Sequence, residues 1–131
     1  MSDLRPKGVE IELGGQKRNL LFTINAIDEI QARCNMPLID VMQYAAKAAD
    51  GKMDHETLDY FRAVVTTLVN DADGEQHSEK EVGRFLTLEN YRPVAWKVLE
   101  AYGLSMPDPD EDEENDEEED GDENPKAGTG Q

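Results

Sequence analysis

The chain has 131 residues and a formal net charge of −17, from 30 acidic and 13 basic side chains. This length allows a single domain. The only cysteine, Cys34, excludes an intramolecular disulfide, and no cluster of cysteines and histidines offers a zinc site. No apolar stretch approaches the roughly 20 residues that a membrane-spanning helix needs. Residues 1–7 lead into no signal peptide. These features predict a cytoplasmic protein with no membrane partner.

The negative charge is concentrated at the end of the chain. Residues 107–131 contain 13 acidic side chains and one basic residue, Lys126, which gives this segment a charge of −12. The other 106 residues carry −5, an ordinary value for a folded domain. The acidic segment has few apolar side chains to offset the entropy of ordering, and its charges repel one another. We therefore expect a folded domain over residues 1–106 and a disordered acidic tail over residues 107–131.

A β-hairpin is predicted near the N-terminus. Val9, Ile11 and Leu13 alternate with glutamates, which is the period of a strand with one buried face. Gly14-Gly15 supplies a turn, and Lys17–Thr23 can return as the antiparallel partner.

Two helices are predicted after the hairpin. Asn25 is the expected N-cap of the first, which runs to about Cys34. Pro37 suits the first turn of the second, and Asp50-Gly51 is expected to end it.

Three further helices complete the domain. Asp54 is predicted to cap the longest, whose apolar residues recur at helical spacing to about Asn70. A capping box at Ser78–Glu81 opens a short fourth helix. Pro93 either breaks the last helix or opens it, and Gly103 is expected to end it. The predicted fold class is mainly α with a small N-terminal β-hairpin (α+β).

No pattern in the chain predicts catalysis, a metal site or a cofactor. Asp71-Ala72-Asp73-Gly74 is similar to part of a calcium-binding loop, but with Gly74 at loop position six, Val69 and Lys80 would fall at positions one and twelve. His55 and His77 lie next to helix caps in polar surroundings and are predicted to be surface side chains. We therefore expect a protein that is not an enzyme.

Nucleic acid is an unfavourable partner, because lysines and arginines are scattered and the net charge would repel DNA. An acidic protein can instead imitate DNA. A DNA mimic or inhibitor encoded by a phage or prophage is thus the alternative function, although its carboxylates would need to be fixed on a folded surface.

Apolar side chains on two helices are the predicted partner-binding residues. Leu58, Phe61 and Val65 lie on the third helix, and Trp96 and Leu99 lie on the last. Trp96 is off the inward stripe of its helix, so it is either an exposed anchor for a partner or the closure of a second side of the core. Spare apolar surface on a small domain also favours self-association.

Three stretches of the ordered part carry a family resemblance: Gly8–Gly15 leading into Leu20–Ile30, Ala63–Gly74, and Ser78–Asn90. Over about residues 5–104, their hydrophobic spacing and turn residues resemble those of the tail assembly chaperones of long-tailed, non-contractile bacteriophages. The acidic tail lies outside the resemblance. No catalytic or ligand residue can be carried over from the family.

The resemblance implies a small helical protein that acts in the host cytoplasm and is absent from the finished virion. Such a protein binds the tape measure protein, keeps that long helical polymer soluble and brings tail tube subunits to it. Many members also yield a longer product by a programmed ribosomal frameshift, and that extension engages the tube protein. Asn124-Pro125-Lys126 permits the codons of a slippery heptamer, although synonymous codons would abolish it.

Overall fold

The computed structural model describes residues 8–105. A two-stranded sheet is followed by five helices, in the order β1 (Val9–Leu13), β2 (Gln16–Leu20), α1 (Ile24–Cys34), α2 (Leu38–Ala49), α3 (His55–Asp73), α4 (Glu79–Phe85) and α5 (Tyr91–Ser105). The predicted fold class, mainly α with an N-terminal hairpin, is confirmed. Within residues 8–105, no helix combines the length and apolar character needed to cross a membrane. The predicted disordered tail lies outside the described residues.

The hairpin forms around two consecutive glycines. β1 and β2 pair antiparallel, with Val9 opposite Leu20 and Leu13 opposite Gln16. Gly14 and Gly15 have φ values of +64° and +79°, which side chains with a Cβ rarely adopt. A glycine pair is therefore what permits this tight connection.

The second strand ends earlier than predicted, and the cap of α1 is a different residue. β2 stops at Leu20, not Thr23, because Thr23 is the N-cap of α1. Its hydroxyl accepts a hydrogen bond from the Ala26 N–H at 3.1 Å and donates one to Asp71 Oδ2 at 2.8 Å. The prediction of Asn25 as N-cap was therefore wrong, since a contact with a residue of α3 favours Thr23.

Helix α3 continues to Asp73, beyond the predicted end at Asn70. Carboxylates are unfavourable at the negative end of a helix. The last turn of α3 contains two, Asp71 and Asp73, and each has a partner from the N-terminal part of the chain. Thr23 contacts Asp71, and Arg18 contacts Asp73 at 2.5 Å. These tertiary contacts offset the unfavourable placement, so the helix extends by almost one turn.

Helix α5 begins at Tyr91 and continues through Gly103 to Ser105. Pro93 lies in its first turn, where the missing N–H costs no helical hydrogen bond. The prediction that Gly103 ends the helix was wrong. Beyond Gly103, the Ser105 hydroxyl accepts a hydrogen bond from the Phe22 N–H at 3.4 Å. Just before it, the Tyr102 ring packs edge-on against the Phe22 ring, with centroids 5.7 Å apart. Packing against the segment after β2 thus supports the last turn.

The core is centred on α3, which packs against α1, α2, α4 and β2, while α2 also packs against α5. The largest side chains that are almost completely buried come from the hairpin, α1 and α3: Phe61, Leu13, Leu20, Ile30 and Leu68. The hairpin therefore covers one side of the helical domain instead of projecting from it.

Candidate functional site

Several large apolar side chains remain exposed on this small domain. Among the described residues they are Ile24, Ile39, Met53, Leu88, Trp96 and Leu104. Isolated exposed apolar residues are common on soluble proteins, whereas neighbouring ones indicate a binding surface. Met53, Leu88 and Trp96 line two adjoining depressions and are the candidates for such a surface.

The first depression lies between the start of α3, α4 and the start of α5. It encloses about 280 Å³ and is lined by Met53, Leu58, Phe61, Arg62, Gly83, Leu86, Thr87, Leu88 and Tyr91. The second depression is lined by Leu88, Glu89, Arg92, Pro93 and Trp96. Leu88 lines both, and we call the two adjoining depressions together the Leu88 groove.

A hydrogen-bonded turn between α4 and α5 presents Leu88 to solvent. The Thr87 N–H donates to Asn90 Oδ1 at 2.7 Å, and the Asn90 N–H donates back to Thr87 Oγ1 at 3.3 Å. Asn90 Nδ2 also donates to the Phe85 carbonyl at 2.8 Å. This turn holds the backbone on both sides of Leu88, whose side chain is 81% exposed. An apolar side chain is thus displayed by a defined loop.

Tyr91 and Phe61 form the floor of the groove. Their rings pack edge-on with centroids 5.4 Å apart, and both side chains are buried. The Tyr91 hydroxyl donates a hydrogen bond to the Lys52 carbonyl. Burial, with a smaller contribution from the negative charge of Asp54, raises the pKa of Tyr91, so the hydroxyl stays protonated as a donor at neutral pH. The contact ties the loop before α3 to α5 beneath the groove.

The structure brings together three of the five predicted partner-binding residues. Leu58 and Phe61 line the groove, and Trp96 lies at its edge with 58% of its surface exposed. Val65 is completely buried in the core, and Leu99 packs partly against the core outside the groove. A partner can therefore reach Leu58 and Trp96, while Phe61 is available only as the buried floor and Val65 is not available at all. Of the two alternatives for Trp96, the exposed position favours the anchor.

Sequence reasoning missed Met53, Leu88, Arg62 and Arg92. Leu88 carried a signal, because it is an isolated large apolar residue between the polar residues Thr87 and Glu89 in a stretch without helical spacing. Arg62 and Arg92 carried no such signal, since no local sequence pattern indicates that residues on different helices lie at one surface.

Asp73, Glu75 and His77 form a second cluster, with ligand atoms within 4.8 Å of one another. His77 lies between Glu75, at 2.6 Å from Nε2, and Glu81, at 3.3 Å from Nδ1. His77 was predicted to be a surface residue, but only 16% of its side chain is exposed. Arg18 already supplies a positive charge to the Asp73 carboxylate. We therefore assign no ion to this cluster.

Comparison of the chain with protein-family models, with curated protein sequences and with solved structures gave no match. The described residues define a small α+β domain in which helices form the core and an N-terminal hairpin covers one side of it. Its Leu88 groove is an apolar surface edged by arginines. A functional assignment consequently depends on the chemistry of that groove and on the resemblance described above.

Proposed function

We propose that the protein is a tail assembly chaperone of a long-tailed, non-contractile bacteriophage. In this proposal it binds the tape measure protein in the host cytoplasm, keeps it soluble during tail assembly and is absent from the mature virion. It acts by binding, without catalysis. The observation that supports the proposal most directly is the Leu88 groove, an apolar surface on a chain with a net charge of −17.

The groove has the chemistry that an amphipathic helix requires. Such helices insert apolar side chains, spaced three or four residues apart, into an apolar groove of the partner. Covering a large apolar side chain contributes about 1.5–3 kcal/mol. Leu88 and Trp96 are exposed enough to gain from being covered, and tryptophan is enriched among residues that dominate binding energy. A long helical polymer such as a tape measure protein offers many segments of this kind.

The charge distribution supports the solubilising part of the proposal. The 13 acidic residues of segment 107–131 would add negative charge to every copy bound along an apolar polymer. Like-charged coats repel one another and oppose aggregation. In this proposal, a longer, frameshifted product recruits the tail tube subunits. Contacts between copies through spare apolar surface would favour a continuous coat.

The alternative, a DNA mimic, receives less support from the folded domain. A mimic needs unpaired carboxylates fixed on its surface. In residues 8–105, several carboxylates are instead neutralised by arginines: Asp73 contacts Arg18, and Asp59 and Glu79 both contact Arg33. A salt-sensitive block of a DNA-binding enzyme would be the result that favours the mimic.

Co-expression with the tape measure protein encoded in the same gene cluster tests the proposal. We expect the native chain to keep that protein soluble and to co-purify with it. The double variant Leu88→Asp, Trp96→Asp should lose both effects while its thermal unfolding is little changed, because both side chains are exposed.

Ile24→Asp is the matched control, since Ile24 is 80% exposed at the start of α1 and is not a lining residue of the groove. It should behave like the native chain. If the tape measure protein is equally soluble with and without this protein, and no complex forms, the chaperone proposal is wrong.

A further inference from the structure

The two arginines of the Leu88 groove are held against glycines. A Cβ atom built on Gly83 would stand 3.0 Å from Arg62 Cδ, and one built on Gly51 would stand 3.6 Å from Arg92 Cδ. The aliphatic stems of both arginines therefore lie close over exposed backbone. This packing places the two guanidinium groups at the groove.

Neither guanidinium has a full set of acceptors. Arg62 Nη2 lies 3.3 Å from Asp59 Oδ1, but the same oxygen also accepts from Arg33 Nη2 at 2.9 Å. Arg62 Nε is shielded from solvent and has no hydrogen-bond partner within residues 8–105. Arg92 Nε donates to the Ala49 carbonyl at 3.1 Å, and within residues 8–105 it forms no ion pair with a carboxylate. The terminal nitrogens of both groups therefore retain N–H donors for an external acceptor.

The groove is locally positive on a negative protein. Its lining contains Arg62 and Arg92 against a single carboxylate, Glu89, and the neighbouring Asp59 is shared between Arg62 and Arg33. Arginine binds carboxylates through two parallel hydrogen bonds, so it selects acidic groups by geometry as well as by charge. The remaining lining side chains are mostly apolar and suit the stripe of an amphipathic helix.

We infer that the Leu88 groove binds amphipathic helices whose apolar stripe is flanked by carboxylates, one group at Arg62 and another at Arg92. This inference rests on the proposed function and states which helical segments of the partner would be bound. Net charge alone gives the opposite expectation, because a chain of −17 attracts lysine-rich helices over long distances. We expect the local arginines to outweigh the net charge at physiological salt. Charges more than about 8 Å apart are then largely screened, whereas ion pairs in contact at the groove are not.

Two synthetic helical peptides test the inference on the full chain. Both carry the same leucine stripe, and the flanking positions are all glutamate in one and all lysine in the other. Trp96 is the only tryptophan and lies at the groove edge, so its fluorescence reports binding. At physiological salt we expect the glutamate peptide to bind about tenfold more tightly, as two partly exposed ion pairs would give.

Variants separate local from long-range charge effects. Arg92→Glu should remove most of the preference for the glutamate peptide. Lys97→Glu makes the same charge change at an exposed position of α5 that is not a lining residue, and it should leave the preference intact. Equal effects of the two variants would overturn the inference, because long-range charge would then explain the preference.

The peptides also distinguish this inference from the proposed function. Equal binding of the two peptides, or tighter binding of the lysine peptide, would overturn the charge preference and leave the groove as a helix-binding site. If neither peptide binds, both the charge preference and the proposed binding of helices by this groove are overturned.

Discussion

Arg18 Nη1 lies 2.5 Å from Asp73 Oδ2, and this ion pair joins the hairpin to the end of α3. Arg18 is only 4% exposed. Its Nε donates to the Leu13 carbonyl at 2.9 Å, and its guanidinium carbon lies 5.7 Å from the centroid of the Phe85 ring. One charged side chain therefore connects β2 with β1, α3 and α4, and its burial depends on these partners.

Arg18→Met should destabilise the protein. The substitution keeps an apolar stem but leaves the Leu13 carbonyl and the Asp73 carboxylate without their donor. Losses of about 2–4 kcal/mol are expected when one partner of a largely buried polar pair is removed. Urea unfolding followed by circular dichroism measures the change. Lys17→Met, at the exposed neighbouring position of β2, should change stability by no more than about 0.5 kcal/mol. Equal effects of the two substitutions would show that the Arg18 contacts contribute little.

Asp54 should make the stability of α3 sensitive to acid. Its carboxylate, the N-cap of α3, accepts hydrogen bonds from the Thr57 hydroxyl at 2.8 Å and the Thr57 N–H at 3.2 Å. These bonds, the hydroxyl first, hold the pKa of Asp54 below its ordinary value of 3.8. Because the folded-state pKa is depressed, the stabilisation is present above pH 3.8 and is lost as the pH falls through the folded-state pKa.

Asp54→Asn isolates this effect, since asparagine is an equally good N-cap that does not titrate. Between about pH 5 and pH 2, the native chain should lose more stability than the variant does. Thermal unfolding at a series of pH values measures the difference. If the stabilities of the native chain and of Asp54→Asn fall equally with pH, the cap does not contribute to the acid sensitivity.

Cys34 should be nearly unreactive in the folded protein. It is 3% exposed at the end of α1, and burial raises the pKa of its thiol, which lowers the fraction of reactive thiolate. Alkylation with a maleimide should be slow in native buffer and fast in denaturant, and it should rise with urea concentration in parallel with unfolding. A native rate as high as the denatured one would place the thiol at the surface.

Removal of residues 107–131 should leave the folded domain intact. The described residues 8–105 form a buried core with side chains from the hairpin and all five helices. We expect the free energy of unfolding to change by no more than about 0.5 kcal/mol, as for changes remote from a core. A much larger loss in thermal unfolding would show that the acidic segment packs against the domain, contrary to the predicted disorder.

Local patterns in the sequence were enough to predict the element types. Helical periodicity, strand alternation and turn glycines depend on residues a few positions apart, so the hairpin and all five helices were recognised. The ends of elements were less predictable. Thr23 caps α1 and α3 extends to Asp73 because side chains that are distant in sequence meet there.

The sequence by itself determined the secondary structure and the position of the negative charge, because both depend on the order of residues along the chain. Only the tertiary structure decided which apolar side chains face solvent. Val65 and Leu58 share the spacing of one helix, yet the first is completely buried in the core, while the second remains at the groove. The tertiary structure also brings Arg62 of α3 and Arg92 of α5 to one surface with Leu88, since a groove is formed by neighbours in space that no local spacing specifies.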